Sequence, residues 1–375
     1  MKNFRKLRHA AALRVPLFAW ILFALAPVAV FLHIAAFSSP AFADFFGGTV
    51  GLAVRFVLAK LTSWLPFSLC EAALIGLPIL FAAVLTGAMR KMKRGKLVLT
   101  RYYAGMLAVL VSVYTVFVFT LGTGYAATPL AEKLGLEEAP VTAEELHETA
   151  LWLTDLTNAA ADDVSFRFGG FSEMPYDYGE MNEVLMAAYE KAAEKYGFIS
   201  HFRSRVKPVI LSEPWTYTHI AGVYTFFTGE SNLNINYPDY SLPYTAAHEL
   251  SHQRGIAREN EANFMAFLVS LESDDPYLRY SGALSVLEYY LSALHTADKD
   301  AYTDVLARLD TRVIGELNAF SVFFEKYRDN TVADISGAVN DTFLQIQGQT
   351  AGSRSYGLVV DLGVAYYQAM VKNPD

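Results

Sequence analysis

The sequence carries a single cysteine, Cys70, in 375 residues. One thiol can close no disulfide framework and build no cysteine zinc cluster, so any metal site must draw on His and carboxylates. Positive charge is also short, with 30 Lys and Arg against 38 Asp and Glu and a formal net charge of −8. Gripping a phosphate backbone needs a basic face, so nucleic acid is excluded as a partner. Internal repeats and low-complexity tracts are absent. What the chain has in excess is apolar side chains, 53% of its residues, with a mean hydropathy of +0.24. That average joins two unlike parts: residues 1–122 are apolar and basic, whereas 123–375 have ordinary globular composition and most of the acid.

A membrane-crossing helix needs about 20 apolar residues. Three stretches qualify: about 15–37, 66–89 and 102–122. Pro27 and Pro78 fall inside them and are tolerated in such helices. The intervening 44–62, DFFGGTVGLAVRFVLAKLT, is glycine-broken and predicts an interfacial helix lying on the membrane. The N-terminal MKNFRKLRHAAALR and the loop RKMKRGKLVLTR at 90–101 are strongly basic. The positive-inside rule puts both in the cytoplasm and everything beyond about 123 outside. The basic start followed by AFA at 41–43 also resembles a cleavable secretory signal; the apolar run is longer than a usual signal core, which favours an uncleaved anchor. Glu71, near the outer end of the second span, is expected to reach the interface.

The second part predicts one mainly α domain with a small sheet. TAEELHETALWLTDLTNAAADD (142–163) opens on a Thr142–Glu145 capping box, and YGEMNEVLMAAYEKAAEKYG (178–197) closes on Gly197. VKPVIL (206–211) and GVYTFFTGESNLNIN (222–236) are β-branched and aromatic and read as strands. Helices follow at about 243–254, 258–272, 276–296, 300–326, 331–346 and 356–371.

HExxH stands at His248-Glu249-Leu250-Ser251-His252. Residues four apart share a helix face, so the two imidazoles can hold one Zn2+, and Glu249 is placed to take a proton from water. Gly255 stops the helix, and a second begins near Arg258. A third ligand is needed, and both Glu259 and Glu261 follow. Glu259 has Asn263 at i+4, a residue able to orient a ligand histidine, whereas Glu261 has Met265 there. That spacing favours Glu259, with Glu261 as the alternative. Upstream, Asn232, Asn234 and Asn236 alternate, and Asn232 and Asn234 are candidates for a strand pairing with substrate backbone. For an oxyanion donor the candidates are His219, Tyr224, Tyr280, Arg354 and Tyr356, with Arg354 and Tyr356 in GSRSYG (352–357) preferred.

HELSH…ENEANFMAFLV resembles the gluzincin pattern, HExxH followed by ExxA[DN], with six residues here between His252 and Glu259. LPFSLCE (65–71), GVYTFFTGESNLNINYP (222–238), LPYTAAHELSHQRGIARENEANFMAFL (242–268) and GSRSYGLVVDL (352–362) together resemble the bacterial membrane family catalogued as domain of unknown function 3810. The resemblance implies three spans followed by an α+β, zincin-like domain. His248, His252 and one of the two glutamates would be ligands, and Glu249 the base. The expectation is a multi-pass protein in the lipid bilayer whose extracytoplasmic domain hydrolyses peptide or protein substrates with zinc. A metal-stabilised receptor that binds a peptide or envelope component without cleaving it is the alternative.

Overall fold

The computed structural model describes residues 15–93, 99–137, 139–168, 170–352 and 358–373. Four helices come first: α1 (Leu17–Ser38), α2 (Pro40–Ser63), α3 (Leu69–Lys93) and α4 (Leu99–Thr120). All four are long and apolar enough to cross a membrane, α4 by its Tyr102–Thr120 portion. α2 departs from the expectation of a broken interfacial segment. Its glycines do not interrupt it, because a π-helical turn at Gly47–Gly51 joins the flanking α-helical pieces into one rod.

α1 and α4 lie side by side and run in the same direction. The Phe18 ring faces Gly105 near one end, and His33 Nδ1 meets the Tyr114 hydroxyl at 2.8 Å near the other. α3 leaves most of its apolar surface uncovered.

The second part is helical around a three-stranded sheet. α5 (Ala143–Ala161) and α6 (Tyr178–Tyr196) both start on the capping boxes their sequences carry, Thr142–Glu145 and Asp177–Glu180. Gly197 ends α6 at φ 69°, a left-handed position that a glycine fills without strain. β1 (Val206–Pro208), β2 (Gly222–Thr225) and β3 (Glu230–Leu233) form a sheet in the order β1-β3-β2, with β1 parallel and β2 antiparallel to β3. α7 (Ser241–Gln253) packs under β2 and β3, and α8 (Glu259–Leu271) and α9 (Pro276–Ala297) pack against α7.

The predicted long helix at 300–326 is two, α10 (Lys299–Arg308) and α11 (Thr311–Arg328). The chain breaks at Leu309-Asp310, where Asp310 turns extended and its side chain caps the next helix at Arg312 N. α12 (Thr331–Ile346) and α13 (Val359–Tyr366) complete the chain. The core is apolar and continuous, with Tyr189, Leu185, Leu250, Phe264, Phe267 and Leu287 all buried in it.

The two parts are locked together by buried polar groups. Lys207 on β1 and Glu230 on β3 form an ion pair whose side chains are 4% and 0% exposed. Lys207 Nζ also donates to the Thr62 and Phe67 carbonyls, at 2.8 and 3.1 Å. Glu230 accepts from the Leu69 and Cys70 backbone N–H groups, both at 3.2 Å, and so caps the start of α3. Glu71 answers from the same turn, accepting from Ile210 N at 3.0 Å and Leu211 N at 2.7 Å. The carboxylate expected at a lipid interface is thus buried and spent on backbone. Above α2, the Arg55 guanidinium donates to Thr120 O, Gly47 O and Arg254 O at 2.8, 2.9 and 3.3 Å.

Candidate metal centre

α7 carries HExxH and ends where the sequence places Gly255. Gly255 N donates to His252 O at 3.0 Å and Ile256 N to Ser251 O at 3.1 Å, the paired bonds of a Schellman stop, with Gly255 at φ 103°. This turn also does chemistry. It brings the Ile256 carbonyl to 2.7 Å from His252 Nδ1. A proton on Nδ1 satisfies that carbonyl and leaves Nε2 with its lone pair facing inward.

Three donor atoms converge there. His248 Nε2 and His252 Nε2 stand 3.0 Å apart, and Glu259 Oε2 lies 3.2 Å from the first and 3.3 Å from the second. These are the groups able to hold a metal ion among the described residues. Metal–ligand distances of about 2.0–2.1 Å in a tetrahedron set neighbouring ligand atoms roughly 3.3 Å apart. The observed triangle already has that edge, so the residues fit a small tetrahedral cation with one place left open.

The three groups also shift one another's titration. Burial works against charge on Glu259, yet His252 and His248 outweigh it and hold the carboxyl well below the usual range. Burial likewise works against a charged His252, but Glu259 raises it to about 9. A buried carboxylate drawn to two imidazoles in this way marks a place built for positive charge.

Glu261 is turned elsewhere. Its carboxylate accepts from Leu130 N at 2.9 Å and from Arg258 at 2.7 Å, tying α8 to the segment that follows α4. The two first-turn acids of α8 have therefore divided the work, with Glu259 toward the histidines and Glu261 toward structure. Asn263 sits one turn beyond Glu259 on the same cavity wall, and its amide donates to the Tyr289 hydroxyl at 3.3 Å.

Glu249 lies beside the triangle, buried, with a backbone hydrogen bond from Tyr224. Burial pushes its pKa up, the two histidines pull it back, and the net shift is upward. Gly222 makes room for it. A Cβ there would stand 2.6 Å from Glu249 Oε1.

The centre opens into a cavity of about 640 Å³ walled by β2, α7, α8, α12 and Leu121 and Tyr125 at the end of α4. β2 is an edge strand, paired only with β3 among the described residues. This corrects the expectation for Asn232 and Asn234. β3 is the central strand, so it has no free edge to offer, and both side chains are buried. Asn232 donates to Val223 O and Thr225 Oγ1 and accepts from Ser68 Oγ at 2.6 Å. Asn234 donates to Thr216 Oγ1 and Ile220 O, both at 3.1 Å. Alternation on a strand resembles a solvated face, but here both sides of the strand are covered.

Of the oxyanion candidates, His219 and Tyr224 line the cavity. His219 holds a left-handed backbone at φ 60°, unusual for a residue with a Cβ, and its Nε2 is 2.6 Å from Tyr327 O. Tyr280 is displaced from the role: it is buried in the core, hydrogen-bonded to Glu316. Arg354 and Tyr356 lie outside the described residues. Tyr289, on α9, lines the cavity beside Glu259 and Asn263. Burial pushes its hydroxyl up to about 12, so it remains a donor at neutral pH. No signal in the sequence separates it from the neighbouring aromatics of α9.

A family model described as "Protein of unknown function (DUF3810)" matches residues 51–364, a stretch that takes in the Lys207–Glu230 pair with its partners at the start of α3 (the latch between the two parts), the sheet and the whole of the centre. No curated protein and no solved structure matches the chain. With five-sixths of its length under that model, the chain belongs to the DUF3810 family.

Proposed function

We propose that the protein is a membrane-anchored, zinc-dependent peptidase. The observation that carries this reading is the triangle of His248 Nε2, His252 Nε2 and Glu259 Oε2, spaced 3.0–3.3 Å and opening beside Glu249 into a large cavity. Two histidines, one carboxylate and an open position are the donor set of hydrolytic zinc sites. Zinc held there supplies Lewis acidity and lowers the pKa of a water to about 7.

The chain's own residues account for the rest. The Glu249 carboxylate takes the proton from the attacking water and returns it to the leaving amine. The free edge of β2 offers backbone groups to an extended peptide laid across α7. The Tyr289 hydroxyl stands on the cavity wall as a donor to developing negative charge, whereas His219 Nε2 is already engaged by the Tyr327 carbonyl. Ile256 O holds His252 in the tautomer that faces the ion.

Topology supports an extracytoplasmic site. α1 and α4 run parallel, so they cross in the same direction, and an odd number of crossings must separate them. α3 is the bare apolar helix, while α2 is held to the domain through Arg55 and by Leu58 and Ala59 against Gly229. One return crossing by α3, with α2 lying along the domain, meets the condition. Arg90, Lys91 and Lys93 at the end of α3 then mark the cytoplasmic side.

The test is Glu249→Gln in the full-length protein. The variant should keep stoichiometric zinc and lose peptidase activity by about 10²–10⁴-fold. Undiminished cleavage by a zinc-loaded Glu249→Gln protein would sink the assignment.

A further inference from the structure

α12 has two unlike faces. Ala333, Ser336, Gly337, Asn340 and Phe343 line the catalytic cavity. Val332, Ile335, Val339 and Ile346 are 53%, 62%, 65% and 74% exposed. On a helix of 3.6 residues per turn these four fall within about 60° of one another, with Asp334 and Asp341 on the opposite side. A soluble helix has no use for such a stripe turned outward.

Its position says what covers it. Phe343 packs against Phe117 and Tyr125, with ring centroids 6.0 and 6.3 Å apart, so the last turns of α12 sit at the end of α4. Phe117 is one turn from the end of that apolar helix. The same level of the molecule carries other exposed apolar groups: Ile210 and Leu211, 78% and 46% exposed, have their backbone held by Glu71 in the first turn of α3. The stripe of α12 thus lies on a helix that packs against the end of one of the helices apolar enough to cross a bilayer.

We propose that α12 lies on the bilayer with this stripe in the lipid, so that the cavity it walls opens at the membrane surface and takes the membrane-adjacent stretch of an anchored polypeptide. The lipid placement stands on α12 alone; the substrate class rests on the peptidase reading. An amphipathic helix with an apolar face and acids opposite seats its apolar side at the boundary of headgroups and acyl chains. The cavity begins at Leu121 and Tyr125, directly past the end of α4, at the level where that apolar helix stops. A polypeptide already tethered there arrives at high local concentration.

The experiment uses the full chain in nanodiscs, in a Cys70→Ala background. An environment-sensitive fluorophore goes on Val339→Cys or, as the control, on Asp334→Cys. Spin-labelled lipid should quench the label at 339 strongly and the label at 334 weakly. Equal, weak quenching at both overturns the placement. In parallel, one peptide sequence is offered free and as an acylated, membrane-bound form. The tethered form should be cleaved at least about tenfold faster. Val339→Asp should reduce that advantage and leave the rate on the free peptide unchanged. Equal rates on the two forms overturn the substrate class. Cleavage of neither form by zinc-loaded protein sinks the peptidase reading, and lipid quenching still decides where α12 lies.

Discussion

Replacing Glu259 by Gln removes one charged ligand at constant volume and leaves the Schellman turn, both histidines and Glu249 in place. Structural zinc sites with four ligands contribute roughly 10–16 kcal/mol, which is about 3 kcal/mol per ligand. Losing one should therefore weaken zinc by roughly a hundredfold. Glu261→Gln is the matched control, two residues away in the same turn. Its amide oxygen can still accept from Leu130 N, and only the ion pair with Arg258 is lost, so about 1 kcal/mol of stability goes and zinc affinity stays. The assay is a competition titration of the purified full-length proteins against a chromogenic zinc chelator, with a thermal melt to show that each has folded. Equal zinc affinity in Glu259→Gln and wild type would refute the assignment, as would a loss confined to Glu261→Gln.

Breaking the latch should be as measurable. Lys207→Met leaves Glu230 buried without its cation, at a cost of about 3–5 kcal/mol, and in a chain of this size Tm should fall by roughly 5 °C. Lys207→Met/Glu230→Gln should recover much of the loss; a double variant as unstable as the sum of the singles would remove the ion pair from the account. Glu288 gives a pH signature. Burial raises it to about 7 despite the Tyr240 hydroxyl donating to it at 2.9 Å, while the unfolded value is 4.5. Between those two values the folded state binds the extra proton, so stability falls as pH rises through that window, by roughly 3 kcal/mol. In melts at pH 5 and pH 8, Glu288→Gln should lose much less stability across the interval than wild type; an unchanged difference would reject Glu288 as its source.

The convergence of His248, His252 and Glu259 was legible because its signals are local. His248 and His252 are one helical turn apart, Gly255 ends that helix, and Glu259 and Asn263 repeat the four-residue step on the next. Nothing so local distinguishes the latch. Lys207 and Glu230 are 23 residues apart, the turn at Ser68–Glu71 lies more than a hundred residues before them in the other part, and each alone resembles a strand charge or a helix-end acid. α2 was hidden for a different reason: three glycines suggest a break, and only packing against the domain and the end of α4 shows the π-turn that carries the helix through them. Asn232 and Asn234 misled because strand periodicity reports which residues share a face, not whether that face is wet.

Arg55 ties the last turn of the HExxH helix to the rods beneath it, through Arg254 O on one side and Thr120 O on the other. The half of the chain that carries the candidate centre is in that sense an unfinished object. A soluble fragment beginning near residue 123 would keep every ligand and Glu249, yet it would leave the Arg254 carbonyl, Lys207 and Glu230 facing water or one another in place of their buried partners. Screens for activity on such a fragment would measure a site with its floor removed. The candidate centre and the apolar helices are therefore to be studied together, in the intact chain.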